Sequence, residues 1–270
     1  MCRGVICRPF LLRQQVLRER EVLEIHQRLS AQRHEPENHL KAAKRILSYV
    51  KTFHKGKILS DTSYADTSIF VSENHEGWSK FYPFAEEDIP HDMPTPKGRS
   101  VRLTVYVDAD HAHDLVTRRS VTGIIAMVNN TPIQWISKRQ KTVESSTYGS
   151  ELVAARIATE LILELRYMLR MIGVPIDGPA KMLGDNMSVV INTTVPSSVL
   201  KKKHCAIGYH RVRESIASGV LTFAHIPSTE NIADIMTKPL PNQQFHKLVK
   251  PVLFRAPVHV QPKLEPVQED

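Results

Sequence analysis

The second half of the chain predicts an α/β fold, and three observations carry that reading. From Val101 three runs rich in β-branched and aromatic residues follow one another, VRLTVYV, VTGIIAMV and TPIQWIS. A long stretch with helical spacing comes next, over about residues 148 to 172. Strand and helix patterns then alternate to about residue 237, so the order reads βββ-α-β-α-α-β-α.

Taken from the start, residues 10 to 33 are strong helix formers without glycine or proline, and predict a helix that has no single apolar stripe. Leu40, Ala43, Ile46, Leu47, Val50 and Phe53 recur at three- and four-residue steps and predict an amphipathic helix that stops at Gly56. The run KILSDTSYADTSIFVSE reads as one or two strands with a turn. Acidic residues and prolines then dominate up to residue 100, as in FAEEDIPHDMPTPKGRS, which predicts a linker and a domain boundary near residue 98. Asn129-Asn130 between the second and third strands predicts a tight hairpin turn with positive backbone angles. In the long helix Ala158, Leu161, Leu165, Met168 and Ile172 form the expected buried stripe, ended by Gly173-Val174-Pro175. A short strand KMLG, a helix after Asp185, the basic run Lys201-Lys202-Lys203-His204, a helix to about Ser218, the strand VLTFAHI and a short helix around Ile232 to Thr237 complete the pattern. From Leu240 onward Pro241, Pro251, Pro257, Pro262 and Pro266 leave little periodicity, and the end reads as a disordered tail. The domains are therefore expected at 1–34, an unassigned helical extension, 35–98, 99–240 and 241–270, a partly disordered tail.

Composition narrows the function classes. With 270 residues, 41% of them hydrophobic, the chain can bury an ordinary core. Lys and Arg number 36 against 28 Asp and Glu, a net charge of +8 that suits a polyanionic partner. Three cysteines, Cys2, Cys7 and Cys205, are odd in number and irregular in spacing, which argues against a disulfide framework or a zinc site. No run approaches the length of about 20 apolar residues that spans a membrane, and the apolar part of MCRGVICRPFLLRQQ is too short for a signal peptide. The expected location is intracellular, cytoplasmic or nuclear.

The stretch VYVDADHAH holds the first candidate chemistry. A polymerase YxDD box needs adjacent aspartates at a hairpin, whereas Ala109 separates Asp108 from Asp110 at the end of a strand, where both point to one face. Three further acids fall where this topology exposes side chains: Glu151 in the first turns of the long helix, Asp185 ending the fourth strand and Asp234 in the last helix. Ligands of open α/β sheets bind outside the carboxyl ends of strands. If the first and fourth strands are neighbours, Asp108 and Asp185 lie side by side with the two helical carboxylates over them. Such a cluster calls for cations, and its hard oxygens select Mg²⁺ or Mn²⁺. Singly each acid has an ordinary reading: a turn residue at Asp108, a helix cap at Asp185, a first-turn charge at Glu151.

The ordered segments YVDADHAHD, TRRSVTG, ISKRQKTVESSTYGSELVAAR, LGDNMSVV, YHRVRE and NIADIMTKPL resemble the ribonuclease H domain at the carboxyl end of Ty1/copia-type retrotransposon polyproteins. The run HLKAAKRILSYVKTFHKGKI is similar, more weakly, to the connection that precedes that domain after the reverse transcriptase. The resemblance implies a ribonuclease H-like fold, a five-stranded mixed sheet with helices on both faces, and cleavage of the RNA strand of RNA/DNA hybrids with two Mg²⁺ ions, for which Mn²⁺ can substitute. It assigns Asp108, Glu151, Asp185 and Asp234 as catalytic metal ligands. Asp110 is then structural or supports the ligands. Two positions depart from the pattern: His111 replaces a usual tryptophan after DAD, and Ala206 replaces the acid of KHID. The polymerase, protease and integrase segments of a complete polyprotein are absent, so the chain reads as a fragment whose partner in a complete element is the reverse transcriptase.

Around that centre Arg118, Arg119, Lys138, Arg139, Lys141, Lys201, Lys202 and Lys203 are candidate phosphate contacts or solvated surface charges. Asn186 is a candidate for a 2′-hydroxyl contact or a helix-start residue. His225 reads as an aid to product release or as a structural strand end, and His111 with His113 lack the further ligands a zinc site needs. An integrase-like transposase would place its glutamate last among three acids, whereas here it comes second. A catalytically silent nucleic-acid-binding or connection module of a decayed element is the alternative.

Overall fold

The computed structural model describes residues 44, 47, 48, 51, 56–72, 76–200 and 203–254. The helix expected over residues 10 to 33, most of the one expected over 39 to 53, and Lys201 and Lys202 lie outside them. A two-residue strand, Lys57–Ile58 (β1), pairs antiparallel with Leu253–Phe254 (β7). Between them the chain builds a five-stranded sheet from Leu103–Asp110 (β2), Val121–Val128 (β3), Thr131–Arg139 (β4), Ala180–Gly184 (β5) and Leu221–His225 (β6). Its order is β4-β3-β2-β5-β6, with β2, β3 and β4 antiparallel and β2, β5 and β6 parallel. This is an α/β, ribonuclease H-like fold.

Period-two alternation sorts the strand residues between two cores. Leu103, Val105, Val107 and Ala109 of β2 face the helices Thr147–Met171 (α1), Met187–Thr194 (α2) and Ala206–Ala217 (α3), where they pack with Leu152, Ala155, Ala158, Ile162, Val189 and Val212. On the other face Ile125 and Met127 of β3 meet the short helices Asp234–Thr237 (α4) and Asn242–Val249 (α5) through Ile235, Met236, Phe245 and Leu248. Helix α5 falls in the proline-rich stretch where the sequence showed little periodicity. Phe245, Leu248 and Val249 supply its buried face.

Local chemistry explains most boundaries. Ser146 caps α1, its hydroxyl accepting from the Gly149 N–H at 3.3 Å. Gly173, at φ 74°, lets the chain leave the helix. The buried stripe of α1 runs through Ala158, Leu161 and Leu165 as expected but not through Met168 and Ile172, which are 44% and 71% exposed. At the β3–β4 hairpin Asn129 adopts φ 55°, while Asn130 does not take the positive angle the sequence suggested.

The described parts of residues 57 to 98, 57–72 and 76–98, read from sequence as strand and linker, lie against the sheet domain through isolated anchors. The Glu87 carboxylate accepts from Arg166 Nε at 2.7 Å and Nη2 at 2.9 Å, and from both terminal nitrogens of Arg170. Burial alone would raise its pKa, but the two guanidiniums prevail and hold it at about 2. The Tyr82 hydroxyl accepts from Arg213 Nε at 3.1 Å, and the Arg213 guanidinium lies 5.0 Å from the Trp78 ring centre.

Candidate active site

The parallel register of β2 and β5 sets Val107 opposite Gly184, so Asp108 and Asp185 stand beside each other where these strands end. Asp234 comes to the same place from the opposite direction, on α4. One carboxylate oxygen from each of Asp108, Asp185 and Asp234 lies within 4.8 Å of the others. Two devices bring α4 this close. Gly123, which shares a row with Asp108, has no side chain, and a Cβ there would stand 2.5 Å from Thr237 Cγ2 and 2.8 Å from the Ala233 carbonyl oxygen. Fully buried Asn231 donates to the Val107 carbonyl at 2.9 Å and accepts from the Ala233 N–H at 3.1 Å, which ties the start of α4 to β2.

Thr237 Oγ1 donates to Asp108, and Lys238 Nζ reaches Asp108 Oδ1 at 3.2 Å and Asp234 Oδ1 at 3.1 Å. Ser228 Oγ donates to Asp185 Oδ2 at 2.7 Å, and His225 Nε2 lies 3.1 Å from the Asp185 carbonyl oxygen. Glu151, in the second turn of α1, feels the charges of Asp108 and Asp185. The structure thus brings Asp108, Asp185 and Asp234 together, with Glu151 near enough to feel the charges of the first two. It also adds Lys238, Thr237, Ser228 and Asn231, three of which stand in the segment NIADIMTKPL beside the one acid noticed there.

The electrostatics are those of crowded carboxylates. Burial raises the Glu151 pKa well above its ordinary value, with the charges of Asp108 and Asp185 adding to it and a hydrogen bond from the Ala109 N–H opposing it. Burial likewise raises Asp108, against Lys238 and Thr237. It pushes Asp234 up to about 7, with repulsion from Asp108 in the same sense and Lys238 opposed. Burial would lower Lys238, but Asp108 and Asp234 prevail and raise it. The carboxyl oxygens of Asp108, Asp185 and Asp234, with Glu151 near them and one ammonium beside them, make a pocket of hard oxygen donors, a donor set that fits Mg²⁺ or Mn²⁺.

The remaining sequence candidates divide. Asn186 is the cap of α2, its side-chain oxygen accepting from the Val189 N–H at 3.2 Å, so the capping role raised for Asp185 belongs to its neighbour. Lys138 and Arg139 follow Ser137, which shares a row with Gly123 and Asp108, at the sheet end that holds the acids. Arg139 is paired with Asp114 at 2.7 Å. Arg118 on the β2–β3 loop, Lys141 after β4 and Lys203 before α3 are exposed, and Arg119 is half-buried. His113 Nδ1 pairs with Asp110 at 2.5 Å, a contact that raises the histidine's pKa.

No protein-family model matches the chain. It is 31% identical over 163 residues to the retrovirus-related Pol polyprotein from transposon RE2 of Arabidopsis thaliana, which covers 60% of this chain and 11% of that polyprotein. Against the corresponding polyprotein of tobacco transposon TNT 1-94 it is 31% identical over 143 residues, 53% of this chain and again 11% of the relative. The chain therefore spans about a tenth of the length of the curated polyproteins it matches. Among solved structures, the amino-terminal ribonuclease H domain of a Mycobacterium tuberculosis protein aligns with TM-score 0.40 and 12% identity, covering 56% of this chain and 98% of that one. A compost-derived ribonuclease H1 solved in complex with RNA/DNA hybrid aligns with TM-score 0.38 and 14% identity, over 48% and 88%. Over 53–60% of its length the chain is thus similar to retrovirus-related Pol polyproteins of plant transposons.

Proposed function

We propose that the chain is a divalent-metal-dependent endonuclease of the ribonuclease H type, which hydrolyses the RNA strand of RNA/DNA hybrids. The observation that carries this reading is the meeting of Asp108, Asp185 and Asp234 within 4.8 Å at the end of β2 and β5. Those three and Glu151 would hold the metal, Mg²⁺ or Mn²⁺. A pair of such ions supplies a water made nucleophilic at neutral pH and charge stabilisation for the leaving 3′ oxygen.

The protein's own groups do the rest. Asn231 ties α4 to β2 and the bare backbone of Gly123 admits it against β3, so that Asp234 lies beside Asp108. Thr237 and Ser228 orient the Asp108 and Asp185 carboxylates by donating to them. Lys238 balances part of the charge when cations are scarce. Arg118, Arg119, Lys138, Arg139, Lys141 and the lysines at 201 to 203 would line the path of the phosphates, which accounts for the excess of positive charge outside the acidic pocket. In this reading residues 99–240 are the nuclease domain, 35–98 the connection to a reverse transcriptase, which would be the partner in a complete element, and the site of action is intracellular. No helix among the described residues is long and apolar enough to cross a membrane.

The test is cleavage of a labelled RNA/DNA hybrid by the purified chain with Mg²⁺ or Mn²⁺, beside EDTA and Asp185→Asn. Asp185 is polar-faced and only partly buried, so its amide variant keeps the fold and hybrid binding while cleavage of the RNA strand is lost. Cutting retained by Asp185→Asn overturns the metal assignment. A folded wild-type chain that binds hybrid and cuts nothing points instead to the silent binding module.

A further inference from the structure

A second ligand cluster lies away from the acidic centre. We infer that Glu144, His204 and Cys205 form a zinc-binding site that ties the loop before α1 to the turn before α3. Glu144 Oε2 lies 3.2 Å from His204 Nε2 and 3.9 Å from Cys205 Sγ, and one ligand atom from each of the three residues lies within 4.8 Å of the others. A tetrahedral Zn²⁺ with bonds of about 2.0 Å to oxygen and nitrogen and about 2.3 Å to sulfur sets its ligand atoms roughly 3.3–3.6 Å apart. The three atoms need only small rotations to meet that geometry.

Several features mark this as more than a chance grouping of polar side chains. Glu144 is 8% exposed, and among the described residues it has no arginine or lysine partner; its other hydrogen bond comes from the Thr142 hydroxyl at 3.1 Å. The carboxylate is turned inward because residue 149 is glycine: a Cβ there would meet Glu144 Oε2 at 2.7 Å. A buried carboxylate aimed at an imidazole and a thiol is an arrangement in which a cation satisfies all three. The mixed O, N, S donor set selects zinc over the hard ions suited to the acidic centre. On binding, the Cys205 thiol loses its proton to solvent and water fills the fourth position, on the exposed side beside His204. Cysteine spacing hid the site, because Glu144 and Cys205 stand 61 positions apart. Cys205 and Ala206 fall in the segment where the chain departs from the KHID pattern, so the site belongs to this sequence rather than to the nuclease chemistry.

The test uses the full chain with Cys2→Ser and Cys7→Ser, so that Cys205 is its one thiol, stripped with EDTA and titrated with Co²⁺ in excess Mg²⁺ to occupy the oxygen-ligand centre. The expected result is a near-ultraviolet thiolate-to-cobalt absorption of one site per chain, bleached by Zn²⁺ and absent in Cys205→Ser. His204→Ala, at an exposed position that does not endanger folding, weakens Co²⁺ binding by roughly 10–100-fold or more, the range that losing even a ligand's supporting partner reaches. Absence of the band in the parent, its survival in Cys205→Ser, or unchanged affinity in His204→Ala overturns the proposal. Asp185→Asn leaves the band unchanged, so this result stands or falls apart from the nuclease reading.

Discussion

Gly123→Ala puts the link between packing and the acidic centre to a direct test. The added methyl would stand 2.5 Å from Thr237 Cγ2, 2.8 Å from the Ala233 carbonyl oxygen and 3.0 Å from Met236 Cβ. Ordinary carbon contacts lie at about 3.5–4.0 Å, so α4 must retreat by about 1 Å. Two of the three obstacles are backbone or Cβ atoms, and no rotamer change removes them. Overpacking of this kind costs about 1–3 kcal/mol, offset in part by the roughly 0.5–1 kcal/mol that alanine gains over glycine in a strand, for a net loss of up to about 2.5 kcal/mol. The retreat carries Asp234 away from Asp108, and a misplacement of about 1 Å lowers a rate on the order of 100-fold. Urea denaturation measures the first effect and hybrid cleavage the second. Adding Thr237→Ser removes the Cγ2 obstacle while keeping the hydroxyl that donates to Asp108, and restores part of the stability but not all, because the Ala233 carbonyl remains. Wild-type stability together with full cleavage in Gly123→Ala would refute the claim that α4 sits on bare backbone.

Further expectations concern charge. The folded Asp234 carboxyl keeps its proton up to about pH 7, whereas its ordinary pKa is 3.8. Between those values the folded state binds more protons, so in EDTA this group makes the protein less stable as pH rises, and the stability is regained as pH falls. Melting temperatures of wild type and Asp234→Asn should therefore diverge from pH 4 to 7 in favour of the variant; parallel curves would contradict the burial assigned to Asp234. Glu87→Gln strips the carboxylate from Arg166, whose side chain is 5% exposed, and lowers stability by about 3 kcal/mol or more, as removal of one partner of a buried pair does. A chain begun at residue 99 suffers the same loss, and an unchanged urea midpoint in either would show that the residue 76 to 98 segment contributes nothing to the fold.

What could be read in advance was what local periodicity encodes. Strand β2 alternates cleanly, so the shared face of Asp108 and Asp110 followed from period two, and the neighbouring of Asp108 and Asp185 followed once β2 and β5 were taken as adjacent. The Gly173 stop was legible, and α1, Thr147–Met171, begins and ends within a residue of the expected 148 to 172. Pairings that close only in three dimensions left no such trace. Asn231 and Val107 are 124 positions apart, and Lys238 and Asp108 are 130 apart. Residues 76 to 98 carry no repeat because Trp78, Tyr82 and Glu87 each hold the domain as a single anchor, so their composition reads as linker. The prolines around α5 masked a helix whose apolar residues, Phe245, Leu248 and Val249, have ordinary helical spacing. Met168 and Ile172 continue the periodicity of α1 although they are exposed on its last turn and its cap.

The antiparallel pairing of β1 with β7 has a mechanical meaning. Lys57 lies opposite Phe254, and Leu59 donates from its backbone to the Val252 carbonyl at 3.1 Å. The strands entering and leaving the domain thus run side by side, like the two sides of a stalk. Tension applied through residues 57 and 254 would part this short ladder one rung at a time, as a zipper opens, before any load reached the five-stranded sheet. The ladder is thus the first contact to yield when the chain that carries the acidic centre is pulled.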